Sequence, residues 1–317
     1  MKKKIMLMLL IASMGTAMLS GCGTKASENQ TQKEVSVEAS EDAVVEEKDL
    51  VEAESLLLKG SSTLAPVITK MTENFKSENG TWDKVDSKFD ATEIDIAISG
   101  GGSGTGVKSA IDGSSSFGLV SRPVSDEEKA KIDGYQEFKL GTDALTLSVN
   151  PENKLYELQD SISTEDLRKI FSGEYKFWDE VNAELAHEEI VLVTRDLGGG
   201  AHKVFAKKVM GDTEVSENVI QAPSMGALVT KIIENKNAIG YASFGVVNQN
   251  EGKVSPLSID GVAPTAENII SGDYKISRPL LVICGGELTD AQKAFVDYMT
   301  SEEGMKIVSE LGFVAEK

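Results

Sequence analysis

The sequence predicts an α/β protein built on parallel sheets, and three observations carry that reading. Short apolar strands alternate with amphipathic helices over residues 56–311. Three of those strands run into loops of glycines and hydroxyls that open a helix, at residues 60–63, 99–105 and 194–200. The stretch from about Glu54 to Lys317 is too long for a minimal domain and suits one large α/β unit or two lobes. Alternation of this kind implies right-handed crossovers, and ligands of such sheets sit at the carboxyl ends of strands, beside helix N-termini. All three loops fall at such places.

The elements follow in order. Leu56, Leu57 and Leu58 form a short strand. A helix follows with Pro66 in its first turn and Val67, Ile68, Met71 and Phe75 on its buried face. Ser62 and Thr63 stand where an N-cap belongs, and capping and anion binding use the same geometry. Ile94, Ile96 and Ile98 alternate as a strand does. After the glycine loop come a short helix with Val107 and Ile111, then a strand with Phe117, Leu119 and Val120. Ser125-Asp126-Glu127-Glu128 reads as a capping box. Residues 144–149 read as a strand closed by Asn150-Pro151, and 163–171 as a helix capped by Ser163 with Gly173 past its end. A strand at 190–194 ends in Arg195, and Gly198-Gly199-Gly200 opens the next helix. A helix at 225–234, strands at 239–243 and 280–283, and helices at 289–300 and 301–311 complete the chain.

The N-terminus indicates where the protein works. Lys2, Lys3 and Lys4 precede an apolar run, residues 5–18, that is short for a transmembrane span. It ends in Leu19-Ser20-Gly21-Cys22, which resembles the lipobox of bacterial lipoproteins. Residues 1–21 are therefore expected to be a signal peptide, with Cys22 lipidated. Residues 22–54 are expected to be an acidic, disordered tether, because Glu, Ser, Lys, Gln and Asn dominate and aromatics are missing. Cys284 is the remaining cysteine; it follows an apolar run and reads as a small buried hydrophobe. The net charge of −19 disfavours nucleic acid and anionic membrane surfaces as partners. A small anion is compatible with it, since distant charges are screened over about 8 Å and local dipoles decide.

The loop SGGGSGTGVKSAIDG at residues 99–113 concentrates the chemistry. Glycines let backbone N–H groups turn toward a ligand, hydroxyls add rotatable donors, and the helix N-terminus adds partial positive charge. A flexible linker is the plain alternative, but patterned segments flank the loop. Two nucleotide motifs fail here: Val107 stands where a P-loop needs Lys, and GxGxxG lacks its last glycine. The nucleophile elbow also fails, at Thr105.

These segments resemble the PstS-like phosphate-binding proteins of ABC-type uptake systems. The resemblance is carried by GSSTLAP (60–66), SGGGSGTGVKSAIDG with FGLVSR (99–122), and STEDLRKIFSGEYKFWDEV (163–181). TRDLGGG (194–200), AIGYASFG (238–245), YKISRPL (274–280) and AFVDYMTSEEGMKIVSELGFV (294–314) extend it. It implies a two-lobed, periplasmic-binding-protein-like fold of type II, with hinge-linked lobes and mixed, mainly parallel sheets. By that likeness one lobe spans 55–140 plus 244–317 and the other 141–243. Phosphate would be held by Ser62, Thr63 and the N–H of Leu64, by Ser103, Gly104 and Thr105, by Ser121, and by Arg195, Gly199 and Gly200. Ser121 takes a place where some members carry Asp, and Arg195 supplies the only full positive charge. The family pattern R-x-x-G-S-G-T is broken here, with Gly199 for Ser and Ala201 for Thr. His202 reads as a polar surface residue and Asp196 as the ion-pair partner of Arg195.

The resemblance implies a lipid-anchored monomer on the extracytoplasmic face, passing phosphate or a related oxyanion to ABC permease subunits. No cofactor or metal is expected. An anion sensor without transport is a second class. An enzyme is a third, and neither His187 nor His202 stands in a metal-binding or nucleophilic motif.

Overall fold

The computed structural model describes residues 50–197 and 199–316. The expectations for the signal peptide, Cys22 and most of the tether lie outside them. Val51, expected within the tether, instead pairs with Phe89, its N–H donating to the Lys88 carbonyl at 2.9 Å.

The first strands are β1 (Leu56–Gly60), β2 (Ile96–Ser99), β3 (Phe117–Val120) and the long β4 (Gln136–Val149). The second group holds β5 (Ser161–Ile162), β6 (Val191–Arg195), β7 (Ile220–Ala222) and β8 (Ala238–Ser243). Last come β9 (Ser255–Pro256), β10 (Ser258–Ile259), β11 (Ser277–Cys284) and β12 (Val314–Ala315). Among the described residues the main sheet runs β2-β1-β3-β11-β4-β8-β6-β7. Pairing is parallel at both ends, β1 with β2 and β3, and β6 with β7 and β8. Through the middle it is antiparallel, because β4 and β11 run against their neighbours. The predicted strand at 144–149 is thus the second half of a strand that begins at Gln136.

The sheet carries two large cores. One is built from Leu56, Leu58, Val67, Ile68, Met71, Phe75, Phe117 and Leu140, closed by Leu280, Val282, Phe295, Met299 and Val308. The other gathers Leu145, Leu147, Leu167, Phe171, Phe205, Leu228, Ile239 and Tyr241. Val246, Val247, Val254, Leu257, Ile269, Tyr274 and Ile276 pack in that second core. The expectation that the chain rejoins the first lobe at 244 is corrected by this packing: β4 leaves the first core between Leu140 and Ala144, and the return is made at β11, between Ile276 and Leu280. Asp143 on β4 and Arg278 on β11 are paired in register at that crossing.

Local signals place the helices. Helix Ala65–Asn79 has Pro in its first turn and buries Val67, Ile68, Met71 and Phe75. Ser125 and Glu128 form the capping box of Asp126–Lys129. Ser163 caps Thr164–Ser172, which ends on a left-handed Gly173. Cys284 is buried, as expected.

Candidate functional site

The loop after β1, the start of helix Ser103–Asp112 and the end of β3 meet at a cluster of buried hydroxyls. Ser61 Oγ lies 2.8 Å from Ser121 Oγ, and Ser103 Oγ lies 3.3 Å from it. The Ser121 N–H donates to Ser103 Oγ at 3.0 Å. Ser61 was missed by the sequence reading, which named Ser62 and Thr63 as caps. The Ser61 hydroxyl accepts from the N–H groups of Thr63 and Leu64, at 3.2 and 3.3 Å. Helix Ala65–Asn79 has no side-chain cap from Leu64 itself.

Gly60 lets this meeting happen. Its φ is +138°, and a Cβ there would stand 2.2 Å from the Leu119 carbonyl oxygen and 2.8 Å from Gly106 Cα. The Gly60 carbonyl accepts from the Gly102 N–H at 2.9 Å, tying the first loop to the second.

Arg195 approaches from the other core. It is buried at the end of β6. Nη1 donates to Ser62 Oγ at 3.0 Å, spanning the two lobes. Nη2 donates to Asp196 Oδ1 at 2.6 Å and to the Pro223 carbonyl at 3.1 Å. Nε donates to Asp196 Oδ1 and the Ala222 carbonyl. Bonds on three nitrogens fix the guanidinium plane. The anticipated Arg195–Asp196 ion pair is therefore present.

Gly200, at the start of helix Gly200–Phe205, faces Ser103 across the same gap. A Cβ on it would lie 2.7 Å from Ser103 Cβ. Gly199 is buried, and the place of its absent Cβ is bounded by the Asp196 carbonyl and carboxylate oxygens at 2.9–3.0 Å. Asp196 thus stands where a residue-199 side chain would begin. A Ser at 199 requires Asp196 to move.

Two expected site residues lie at the surface. Gly104 and Thr105 are exposed, and Thr105 Oγ1 donates to the Gly101 carbonyl at 2.8 Å. At about 100° per residue, Thr105 lies on the far side of its helix from Ser103. The expectation that Arg195 is the only positive charge is also corrected. Arg122 and Arg278 are both buried near the same loops. Arg122 Cδ lies 3.5 Å from the Gly200 Cβ position, and Arg278 Nη2 donates to Thr63 Oγ1 at 3.0 Å.

His202 is half-buried and its Nδ1 lies 3.2 Å from Tyr241 Oη, so it is more than a surface residue. Burial holds its pKa below the ordinary value, against the pull of Asp196. The Tyr241 hydroxyl accepts the Arg195 N–H at 3.3 Å and is pushed up by burial. His187, by contrast, is exposed on a connection, stacked on Phe177.

Arg122 donates in a fork to both oxygens of Glu128, at 2.7 and 2.8 Å. That pairing, with the Ser125 N–H, holds the Glu128 carboxyl at about 2, from an ordinary 4.5. A depressed carboxyl stabilises the fold fully above its unfolded value and loses that contribution as pH falls toward the folded value. Thermal melts of Glu128→Gln should therefore show a deficit against the parent at pH 7 that shrinks between about 4.5 and 2. A deficit constant over that window would contradict the assignment.

Two α/β lobes that meet over buried hydroxyls, helix starts and a bridging arginine define a solute-binding protein of the two-lobed kind. The model of the PBP superfamily domain matches residues 25–303. The phosphate-binding protein PstS of Staphylococcus saprophyticus is 32% identical over 271 residues, covering 81% of this chain and 78% of its own length. That of Bacillus subtilis is 31% identical, over 99% of this chain and 94% of its own. A structure from Clostridium perfringens, described as a phosphate ABC transporter substrate-binding protein with bound phosphate, superposes with TM-score 0.71 at 30% identity. It covers 83% of this chain and all of its own. The chain belongs to the PBP superfamily and, within it, to the PstS-like phosphate-binding proteins.

Proposed function

We propose that the chain captures inorganic phosphate in this cleft and delivers it to an ABC permease. The observation that carries the reading is Arg195. It is a buried, fixed cation that reaches from one lobe to Ser62 of the other, next in sequence to Ser61, whose hydroxyl joins the cluster of Ser103 and Ser121. A desolvated oxyanion needs every oxygen satisfied, and this arrangement offers charge from one side and hydroxyls from the other. Lobe closure then couples occupancy to docking. The proposed ligand set is Ser62, Thr63, Leu64, Ser103, Ser121, Arg195, Gly199 and Gly200, with Ser61 added. We assign Gly104 and Thr105 a lesser part, since the Thr105 N–H is donated to the Gly102 carbonyl and its hydroxyl to the Gly101 carbonyl. The relatives named as phosphate-binding proteins support the same reading.

A second oxyanion is favoured by one observation. With Gly199 and Ala201, two hydroxyls of the family pattern are missing, and Asp196 fills the space at 199. Each lost bond to a charged group is worth about 1.5–3 kcal/mol. Calorimetric titration of the anion-stripped protein with phosphate, arsenate, sulfate and molybdate decides. Phosphate is expected to bind tightest; heat from another anion and none from phosphate would overturn the assignment. Turnover of a phosphoester would favour an enzyme instead.

Anchoring belongs to the same proposal. Cys22 would carry the lipid that holds the domain at the outer face of the membrane. A Cys22→Ser variant should leave the membrane fraction, as read by immunoblot of separated membranes.

A further inference from the structure

We propose that Arg278 is a second cation of the anion site and a determinant of which oxyanion it accepts; this rests on the anion-binding reading of the same cleft. Arg278 sits where β11 crosses between the cores, directly opposite Asp143. It is 2% exposed, and Asp143 is fully buried. Nε and Nη2 both donate to Asp143 Oδ2, at 2.9 and 2.7 Å. Nη2 also donates to Thr63 Oγ1 at 3.0 Å, and Nη1 has no hydrogen-bond partner among the described residues.

The planar guanidinium turns these distances into a direction. One edge, Nε with Nη2, is spent on Asp143. On the other edge an N–H of Nη1 runs parallel to the Nη2 N–H that reaches Thr63. The fork therefore has one tooth on Thr63, whose N–H bonds the Ser61 hydroxyl, and a buried, unpartnered tooth beside it. Thr63 Oγ1, accepting from a cation, keeps its own proton to donate, and the cation polarises that bond. An anion oxygen at this corner would meet both the Thr63 hydroxyl and Nη1.

Charge points the same way. Burial opposes the protonation of Arg278 most, Asp143 favours it, and Arg195 lies close enough to oppose it further. Two buried cations near one another are costly unless anionic charge lies between or beside them. Asp143 and Asp196 each engage one of them, and a doubly charged oxyanion would engage both. Arg278 thereby favours the dianionic form of a tetrahedral oxyanion over the monoanion.

The test is calorimetric, on the full chain, with phosphate and sulfate across pH. Arg278→Lys keeps a buried cation but loses the fork, and phosphate affinity should fall roughly 10- to 100-fold. The pair replacement Arg278→Met with Asp143→Leu leaves no orphaned charge, and it should bind phosphate weakly with a flatter rise in affinity as pH increases. In a Thr63→Val background, Arg278→Lys should cost clearly less than in the parent. Parent-like affinity and pH dependence in a folded variant would make the pair merely structural and overturn the proposal. Equal costs of Arg278→Lys in both backgrounds would overturn it too. If the pair replacement fails to fold, the Lys and Val variants still decide. A parent protein that binds none of these anions removes the anion reading itself, an outcome distinct from the others.

Discussion

Arg195→Ala is expected to lower phosphate affinity by roughly two to three orders of magnitude, following about 1.5–3 kcal/mol for each charged hydrogen bond lost. The guanidinium joins both lobes directly, through Ser62 Oγ at 3.0 Å. Removing it deletes the cation, the cross-cleft bond and the fixed plane that the Ala222 and Pro223 carbonyls maintain. Arg195→Lys should recover only part of the loss, because an ammonium cannot hold those acceptors and Ser62 together. Calorimetry measures the affinity, and a melting curve checks that the variant folds. Affinity within tenfold of the parent would place the anion elsewhere.

Gly60→Ala should damage the fold itself. Its φ of +138° disfavours any side chain, and the new methyl would stand 2.2 Å from the Leu119 carbonyl oxygen. Backbone strain and overpacking each cost about 1–3 kcal/mol, and here they act together. The neighbours cannot yield cheaply, since they are backbone. Gly106 and Gly118 meet similar limits: a Cβ on Gly106 would lie 2.4 Å from the same carbonyl, and one on Gly118 would lie 2.3 Å from the Gly106 carbonyl. Three chain segments thus touch at one spot, and the Ser61–Ser121–Ser103 cluster sits on it. Denaturant unfolding should show a loss above about 3 kcal/mol; a loss under about 1 would mean the loop relaxes. Binding should fall in step with stability here, whereas Arg195→Ala should lower affinity by more than any loss of stability accounts for.

Much of this was legible because its causes are local. Caps, the capping box and strand-to-loop transitions are written in adjacent residues, and the Ser125, Ser163 and Arg195 readings rest on them. What was not legible depends on distant partners or on backbone direction. Arg278 sits in Ser-Arg-Pro beside an apolar run, and only Asp143, 135 residues away, explains its burial. Between Ser61 and Ser62, the turn of the chain decides which hydroxyl faces Ser121 and which meets Arg195. Residues 136–143 hid their strand because the alternation of Phe138 and Leu140 is short and breaks at Gly141, Thr142 and Asp143, and only pairing with β11 carries the strand through them. The blocked space at Gly199 appears only once Asp196 is placed.

The interleaving of the two cores has a consequence for how the protein is made. The core of residues 144–276 is nearly continuous in sequence, whereas the other joins residues 56–140 to 280–313. A chain delivered N-terminus first, as through an export channel, therefore carries its earliest apolar strands unsatisfied until its last helices arrive. The interior core can close first, and the half that began the chain finishes last. Such late, long-range closure is slow and leaves surface open to aggregation. Premature termination near Gly285 would strand Leu56, Leu58, Met71 and Phe75 without Phe295, Met299 and Val308.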